Sequence, residues 1–191
     1  MMRRSSVFLA ATLFTFLAHS AGAAPPQSVC LDFEGLALGT TYGAPVGQSS
    51  GDLAFTSNGV PVSVFKWVSP NGNSFFNRAD VVIPPVAFAA GKSIRLNNIN
   101  LQFDFTALPF RVSAATFRFL DLGGSENLRV NGAFYVGELT SAPTPLGGVA
   151  VSVGWSAIPG GKLGTVKLAG TVKNLWIGGQ ELWIDQVCVY Q

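Results

Sequence analysis

The chain of 191 residues is 48% apolar and only 12% charged, with 22 glycines, 11 prolines, two cysteines and a formal charge of +2. Those values suit one globular domain and exclude a coiled coil, a charged disordered chain and a disulfide-dense miniprotein. Its lysines and arginines form no cluster of the kind that nucleic acid or an anionic membrane surface requires.

The N-terminus reads as an export signal. Arg3 and Arg4 precede the apolar run Val7 to Ala18, and Ala21-Gly22-Ala23 offers small residues to a signal peptidase. A membrane helix needs roughly 20 apolar residues, more than this run supplies. Residues 1–23 are therefore expected to be cleaved rather than to anchor the chain, leaving a single domain over 24–191 in a secreted or periplasmic location. Without Arg3 and Arg4 the basic and acidic residues balance. The one histidine, His19, also leaves, which removes Ser-His-Asp and Cys-His catalysis and histidine-ligated metals.

Cys30 and Cys188 lie near the two ends of that domain. In an exported chain they are expected to pair and tie the first strand to the last, a closure that chain entropy values at about 5 kcal/mol as an upper figure. A reactive or metal-binding thiol pair is the alternative.

Between the cysteines the apolar residues recur with period 2. Val60, Val62 and Val64 alternate with Pro61 and Ser63; Leu101, Phe103 and Phe105 with Gln102 and Asp104; Val151, Val153 and Trp155 with Ser152 and Gly154. This is the pattern of half-buried antiparallel strands. It predicts about ten or eleven strands, some of them merging, near 29–34, 52–56, 60–68, 81–89, 93–106, 110–121, 127–131, 133–140, 149–156, 163–169, 171–177 and 181–190. Asn58-Gly59 and Asn131-Gly132 read as hairpin turns. Gly123-Gly124, Gly147-Gly148, Gly160-Gly161 and Gly178-Gly179 punctuate the rest, and the similar stretches Gly123 to Glu126 and Gly178 to Glu181 are taken as recurring hairpins. The fold class is all-β, a two-sheet antiparallel β-sandwich.

The opening Cys30-Leu31-Asp32-Phe33-Glu34-Gly35 and the closing Glu181-Leu182-Trp183-Ile184-Asp185-Gln186-Val187-Cys188-Val189 resemble the first and last strands of secreted bacterial jelly-roll domains, among them many carbohydrate-binding modules. The resemblance covers only these two ends. It implies a jelly-roll-like sandwich with paired terminal strands and a structural calcium ion held by an acidic residue of each, here Glu34 and Asp185. Calcium takes six to eight oxygen ligands. Were Cys30 opposite Cys188 in regular pairing, Glu34 would face Ile184 and Asp185 would point to the other side, so a shared site needs a β-bulge near Asp185-Gln186. Apolar residues at 184 and 187, three apart, hint at one. Two strand carboxylates that are merely solvated or hydrogen-bonded are the simpler alternative.

Carbohydrate recognition needs a flat ring beside amides or charged groups. The segment Lys66 to Asp80 supplies both and carries the turn residues of a long loop, where binding tends to reside. Its candidate ligand-binding residues are Trp67, Asn71, Asn73, Asn77 and Arg78, with Trp155 able to join them; the opposing view is a loop whose aromatics tuck beneath it. No acidic pair stands out for glycoside hydrolysis, Asp121 and Glu126 merely flanking a Gly-Gly turn. The expectation is a non-catalytic extracellular module that binds carbohydrate or a cell-surface polymer. The alternative is a structural or self-associating matrix protein, favoured by the low surface charge and many strands, and a hydrolase comes third.

Overall fold

The computed structural model describes residues 27–191 apart from Ala90, and the expected signal over 1–23 lies outside them. The described residues form fifteen strands in two antiparallel sheets. In chain order they begin with β1 (Ser28–Leu31), β2 (Thr41–Gly43), β3 (Leu53–Ser57), β4 (Val60–Val68) and β5 (Ser74–Phe75). Next come β6 (Arg78–Val82), β7 (Ser93–Asn97), β8 (Ile99–Asp104), β9 (Ala114–Asp121) and β10 (Glu126–Val130). The last five are β11 (Ala133–Gly137), β12 (Ala150–Ile158), β13 (Gly161–Ala169), β14 (Asn174–Gly179) and β15 (Leu182–Tyr190). One sheet has eight strands in the order β12-β13-β9-β15-β7-β6-β2, with β1 also on β15; the other has seven in the order β11-β10-β14-β8-β4-β3, with β5 on β4. The expected all-β sandwich is what the chain forms.

The period-2 pattern explains the layers. On β9, Phe117 and Phe119 are buried while Thr116 and Arg118 are half-buried on the opposite face. Leu128 and Val130 of β10, Leu175 and Ile177 of β14 and Leu101 and Phe103 of β8 join them in one core cluster between the sheets. Each such side chain contributes about 1.5–3 kcal/mol when removed from water. A second, small cluster of Phe88, Leu120 and Trp183 covers the outer face of the eight-stranded sheet.

The terminal strands pair as expected: Cys30 lies opposite Cys188, the Cα atoms are 4.0 Å apart, and a disulfide joins them. The β-bulge is also present. Pairing of β15 with β9 runs in register to Asp185 opposite Arg118 and resumes at Cys188 opposite Thr116, with Gln186 at φ 50°. That extra residue is what lets Ile184 and Val187 both face the core.

Other expectations are corrected. The run 93–106 is two strands, because Asn98 at φ 52° turns the chain from the eight-stranded sheet into the seven-stranded one. The run 81–89 ends at Val82, just ahead of Pro84-Pro85, which lack the N–H a ladder needs. Strands β2 and β5 are too short for a periodic signal. Asn58-Gly59 and Asn131-Gly132 do close hairpins, with positive φ at all four residues. Gly123-Gly124 and Gly178-Gly179, in contrast, are not hairpins: each lies where the chain crosses from one sheet to the other. The two crossings are stitched together by Leu122 N donating to Glu181 O at 2.9 Å.

The sandwich therefore has two dissimilar ends. At the disulfide end are the loops 105–113 and 170–173 and the two Asn-Gly hairpins. At the other, the crossing end, are both Gly-Gly crossings, the turn 69–73 and the β12–β13 turn. Among the described residues no helix is long and apolar enough to cross a membrane.

Candidate functional site

At the crossing end the final residues of β4 leave the ladder. Beyond Lys66, strand β4 has no partner in β8; instead Val68 N donates to Asn127 Oδ1 at 2.7 Å and Asn127 Nδ2 donates to Val68 O at 2.7 Å. One asparagine side chain thus stands in for a strand. Asn100 supports it, donating from Nδ2 to Lys66 O at 2.6 Å and to Asn127 Oδ1 at 3.2 Å. Gly178 makes room for this asparagine pair, since a Cβ there would fall 1.8 Å from Asn100 Oδ1.

The chain then reverses in a turn where Ser69 N donates to Asn73 O and Gly72 N to Ser69 O, both at 2.9 Å, with Gly72 at φ +84°. Strand β5 returns along β4, placing Phe75 opposite Trp67 with ring centroids 5.7 Å apart. A shallow groove of about 310 Å³ results, lined by Trp67, Ser69, Pro70, Asn71, Phe75 and Gln180.

The structure distributes the predicted binding residues unevenly. Trp67 is 1% exposed, so it forms the floor of the groove rather than a free platform, and its indole Nε1 has no hydrogen-bond partner. The exposed ring is Phe75, at 45%. Asn71 lines the groove; Asn73, Asn77 and Arg78 do not. Asn77 serves through its backbone, accepting from Ala44 N and donating to Asn98 O, and Arg78 pairs with Asp80 at 3.1 Å. Trp155 is exposed but belongs to β12, at the edge of the other sheet, and does not join the groove. Gln180, absent from the sequence-based set, enters through the crossing at Gly178-Gly179.

Between the sheets at the same end, three carboxylates meet. One oxygen from each of Asp121, Glu126 and Glu138 lies within 4.8 Å of the others. Two of them extend the core pattern: Asp121 follows Phe117 and Phe119 at the inward positions of β9, and Glu126 precedes Leu128 and Val130 on β10. Glu126 is wholly buried; its Oε2 accepts from Leu139 N at 3.1 Å and its Oε1 has no partner. Asp121 Oδ1 accepts from Gly123 N at 2.9 Å. Lys162, on the neighbouring strand, bonds Glu138 and stands 3.9 Å from Asp121. Burial, reinforced by the Asp121 charge, pushes the Glu126 carboxyl up to about 8, and burial likewise raises Asp121. The alternating pattern was the available signal for this cluster, since an acid at an inward position is an anomaly; reading Gly123-Gly124 as a hairpin hid it.

The Glu34 and Asp185 pair behaves differently. Glu34 Oε1 accepts from Lys92 N at 2.6 Å, and its carbonyl, with that of Leu36, accepts from Lys92 Nζ. Asp185 Oδ1 accepts from Gln186 N at 2.6 Å across the bulge, and its buried Oδ2 has no partner. Burial is the main cause that pushes Asp185 up to about 7, with Glu34 and Asp32 adding to it. Among the described residues these acids do not gather as Asp121, Glu126 and Glu138 do.

Two further surfaces compare poorly with the groove. The cavity of about 510 Å³ at the disulfide end is lined by Phe105, Leu108, Phe110 and Lys173 among others, but its Arg111 is already engaged by Thr171. On the outer face of the seven-stranded sheet Trp176 is covered by Phe65, stacked at 4.1 Å, and by the Arg129 guanidinium at 4.6 Å. The chain matches no protein-family model, no curated protein and no solved structure.

Proposed function

We propose that this protein is an exported, non-catalytic binding module for carbohydrate or a cell-surface polymer, and that its ligand lies in the groove between Phe75 and Gln180. The observation that carries the reading is the composition of that groove: an exposed ring braced on a buried indole, flanked by two amides and a hydroxyl. A sugar ring presents C–H faces that pack on Phe75, while Asn71 and Gln180 suit its hydroxyls. The brace is stiff, because Asn127 and Asn100 hold the strand that carries it, and a preformed site loses less ordering entropy on binding. Among the described residues no carboxylate lines the groove, so paired-carboxylate hydrolysis finds no donor among them. A disulfide between the terminal strands suits an oxidising compartment and so supports export.

An oligosaccharide array followed by titration of the best hit tests this. Phe75→Ala is expected to weaken binding about tenfold or more, the equivalent of about 1.4 kcal/mol, with Trp155→Ala unchanged. An array with no hit, or binding indifferent to Phe75→Ala, overturns the reading.

A second reading has its own observation. Strand β12 is a nine-residue sheet edge, and no charged residue occurs from Leu139 to Gly161. Edges of that kind invite pairing with another strand, which suits a self-associating extracellular protein. Sedimentation over a concentration range separates the two: assembly without glycan binding favours the second.

A further inference from the structure

We propose that the space enclosed by Asp121, Glu126 and Glu138 at the crossing end binds one hard divalent cation, calcium by its ligand chemistry. The inference is independent of the carbohydrate reading and concerns a different place from the terminal-strand acids Glu34 and Asp185.

Four observations carry it. The first is spacing: ligands on opposite sides of a calcium ion, each 2.3–2.6 Å away, are about 4.6–5.2 Å apart, and the three carboxylate oxygens lie within 4.8 Å of one another. The second is the orphaned oxygen. Glu126 is wholly buried, and its Oε1 has no donor although it belongs to a side chain inside the cluster. A buried carboxylate oxygen without a partner is costly, and a cation supplies what is missing. Ser125, the preceding residue, also carries a buried oxygen without a partner.

The third observation is charge. Lys162 is the one cation bonded within the cluster; it bonds Glu138 and approaches Asp121 only to 3.9 Å. Once Glu126 gives up its proton to an incoming ion, three carboxylates against one ammonium leave two negative charges, the number a divalent ion cancels. The fourth is access. The Glu138 side chain is 45% exposed, so the enclosure opens toward solvent on that side, where an ion can enter and retain water as further ligands. All-oxygen donors of this kind, with neither histidine nor thiolate, select calcium or magnesium over zinc or copper. The irregular arrangement suits calcium, because magnesium demands near-ideal octahedral geometry at 2.0–2.1 Å.

The test uses the disulfide-bonded chain, stripped with chelator and titrated with calcium chloride by calorimetry, alongside thermal melts in calcium and in chelator. The expected result is one ion per chain with a dissociation constant near 0.1–1 mM, as in other extracellular calcium sites, and a higher melting temperature in calcium. Glu126→Gln and Asp121→Asn should each weaken binding about tenfold or more, equivalent to about 1.4 kcal/mol. Lys162→Met, which removes the competing ammonium, should tighten binding about threefold or more, and Glu34→Gln should leave it unchanged. If the acid variants fail to fold, Lys162→Met decides: tighter binding supports the site, and equal or weaker binding refutes it. The proposal is also overturned if the natural chain shows neither heat nor a melting shift up to about 10 mM calcium, ten times the upper limit of that range. Full binding in both acid variants, or its loss in Glu34→Gln, overturns it as well.

Discussion

The two ends of the sandwich handle polar groups in opposite ways. At the disulfide end Asn131 is fully used: its Nδ2 donates to Thr171 O at 2.7 Å and to Gly147 O at 3.2 Å, while its Oδ1 accepts from Lys173 N at 2.8 Å. Asn58 likewise donates to Cys30 O at 2.7 Å. At the crossing end the polar side chains lie deeper, with Asn100, Asn127 and Glu126 fully buried, but they are incompletely matched. Of the seven buried polar side-chain atoms without a partner among the described residues, four belong there, on Trp67, Asn100, Ser125 and Glu126. Stability alone favours the first arrangement, since each buried orphan costs about 1–3 kcal/mol. Unmatched groups concentrated at one end mark the place where a ligand or ion completes the structure. Under the two proposals made above, one end holds the fold and the other binds.

Breaking the holding end should have the largest effect. Replacing both cysteines by serine is expected to lower stability by about 3–5 kcal/mol, because the disulfide closes a loop with a sequence separation of 158 residues. Denaturant unfolding of the two forms measures it, and a loss below about 1 kcal/mol would show that the strands hold the termini unaided. Asn131→Ala should cost about 1–3 kcal/mol, since it removes three hydrogen bonds and leaves two part-buried backbone carbonyls unpaired. The matching change at the crossing end, Asn127→Ala, frees the β4–β5 hairpin at Val68. It should therefore raise hydrogen exchange in residues 67–75 before it affects the remainder of the fold.

Between the ends, the bulge gives a prediction in pH. The Asp185 carboxyl is raised from 3.8 to about 7, chiefly by burial, with Glu34 and Asp32 adding to the shift and Gln186 N and Arg118 opposing it. A raised acid binds its proton more tightly in the folded state, so its contribution to stability is fully present below pH 4, is lost as pH rises toward 7, and changes no further above that. Linkage gives an upper figure of about 4 kcal/mol for the loss. Asp185→Asn retains an acceptor for Gln186 N and cannot ionise. Its stability, measured by denaturant midpoint from pH 4 to 8, should decline less than that of the natural chain; parallel profiles would refute the assignment.

What could be read in advance follows the physics of alternation. The sandwich, the β-rich core and the disulfide were legible because period-2 patterns and paired cysteines act locally or through a single constraint. The bulge at Asp185-Gln186 was legible for a related reason: Ile184 and Val187 cannot both face inward without it. Features set by a single backbone angle were not. Asn98 at φ 52° splits what reads as one long strand, and the Gly-Gly crossings look identical in sequence to hairpins. The likeness of the crossings to hairpins concealed the acidic cluster, because Asp121 and Glu126 meet from different sheets. Trp67 shows a further limit: its neighbours Lys66 and Val68 announce a strand, but only the Asn127 clamp decides that the ring lies beneath Phe75 rather than above it.

The smallest expected effect on folding comes from Trp155, and it separates holding from binding in a third place. Trp155 has the inward parity of Val151 and Val153, yet it is 51% exposed. Strand β12 is the outermost strand of its sheet, and the ring there buries little and contributes little. Trp155→Ser should change stability by no more than about 0.5 kcal/mol. If strand β12 serves self-association, the same change removes an apolar group from the edge that pairs, and sedimentation should show weaker assembly at unchanged stability. A large loss of stability would mean instead that the ring is covered in the isolated chain and that this edge is closed.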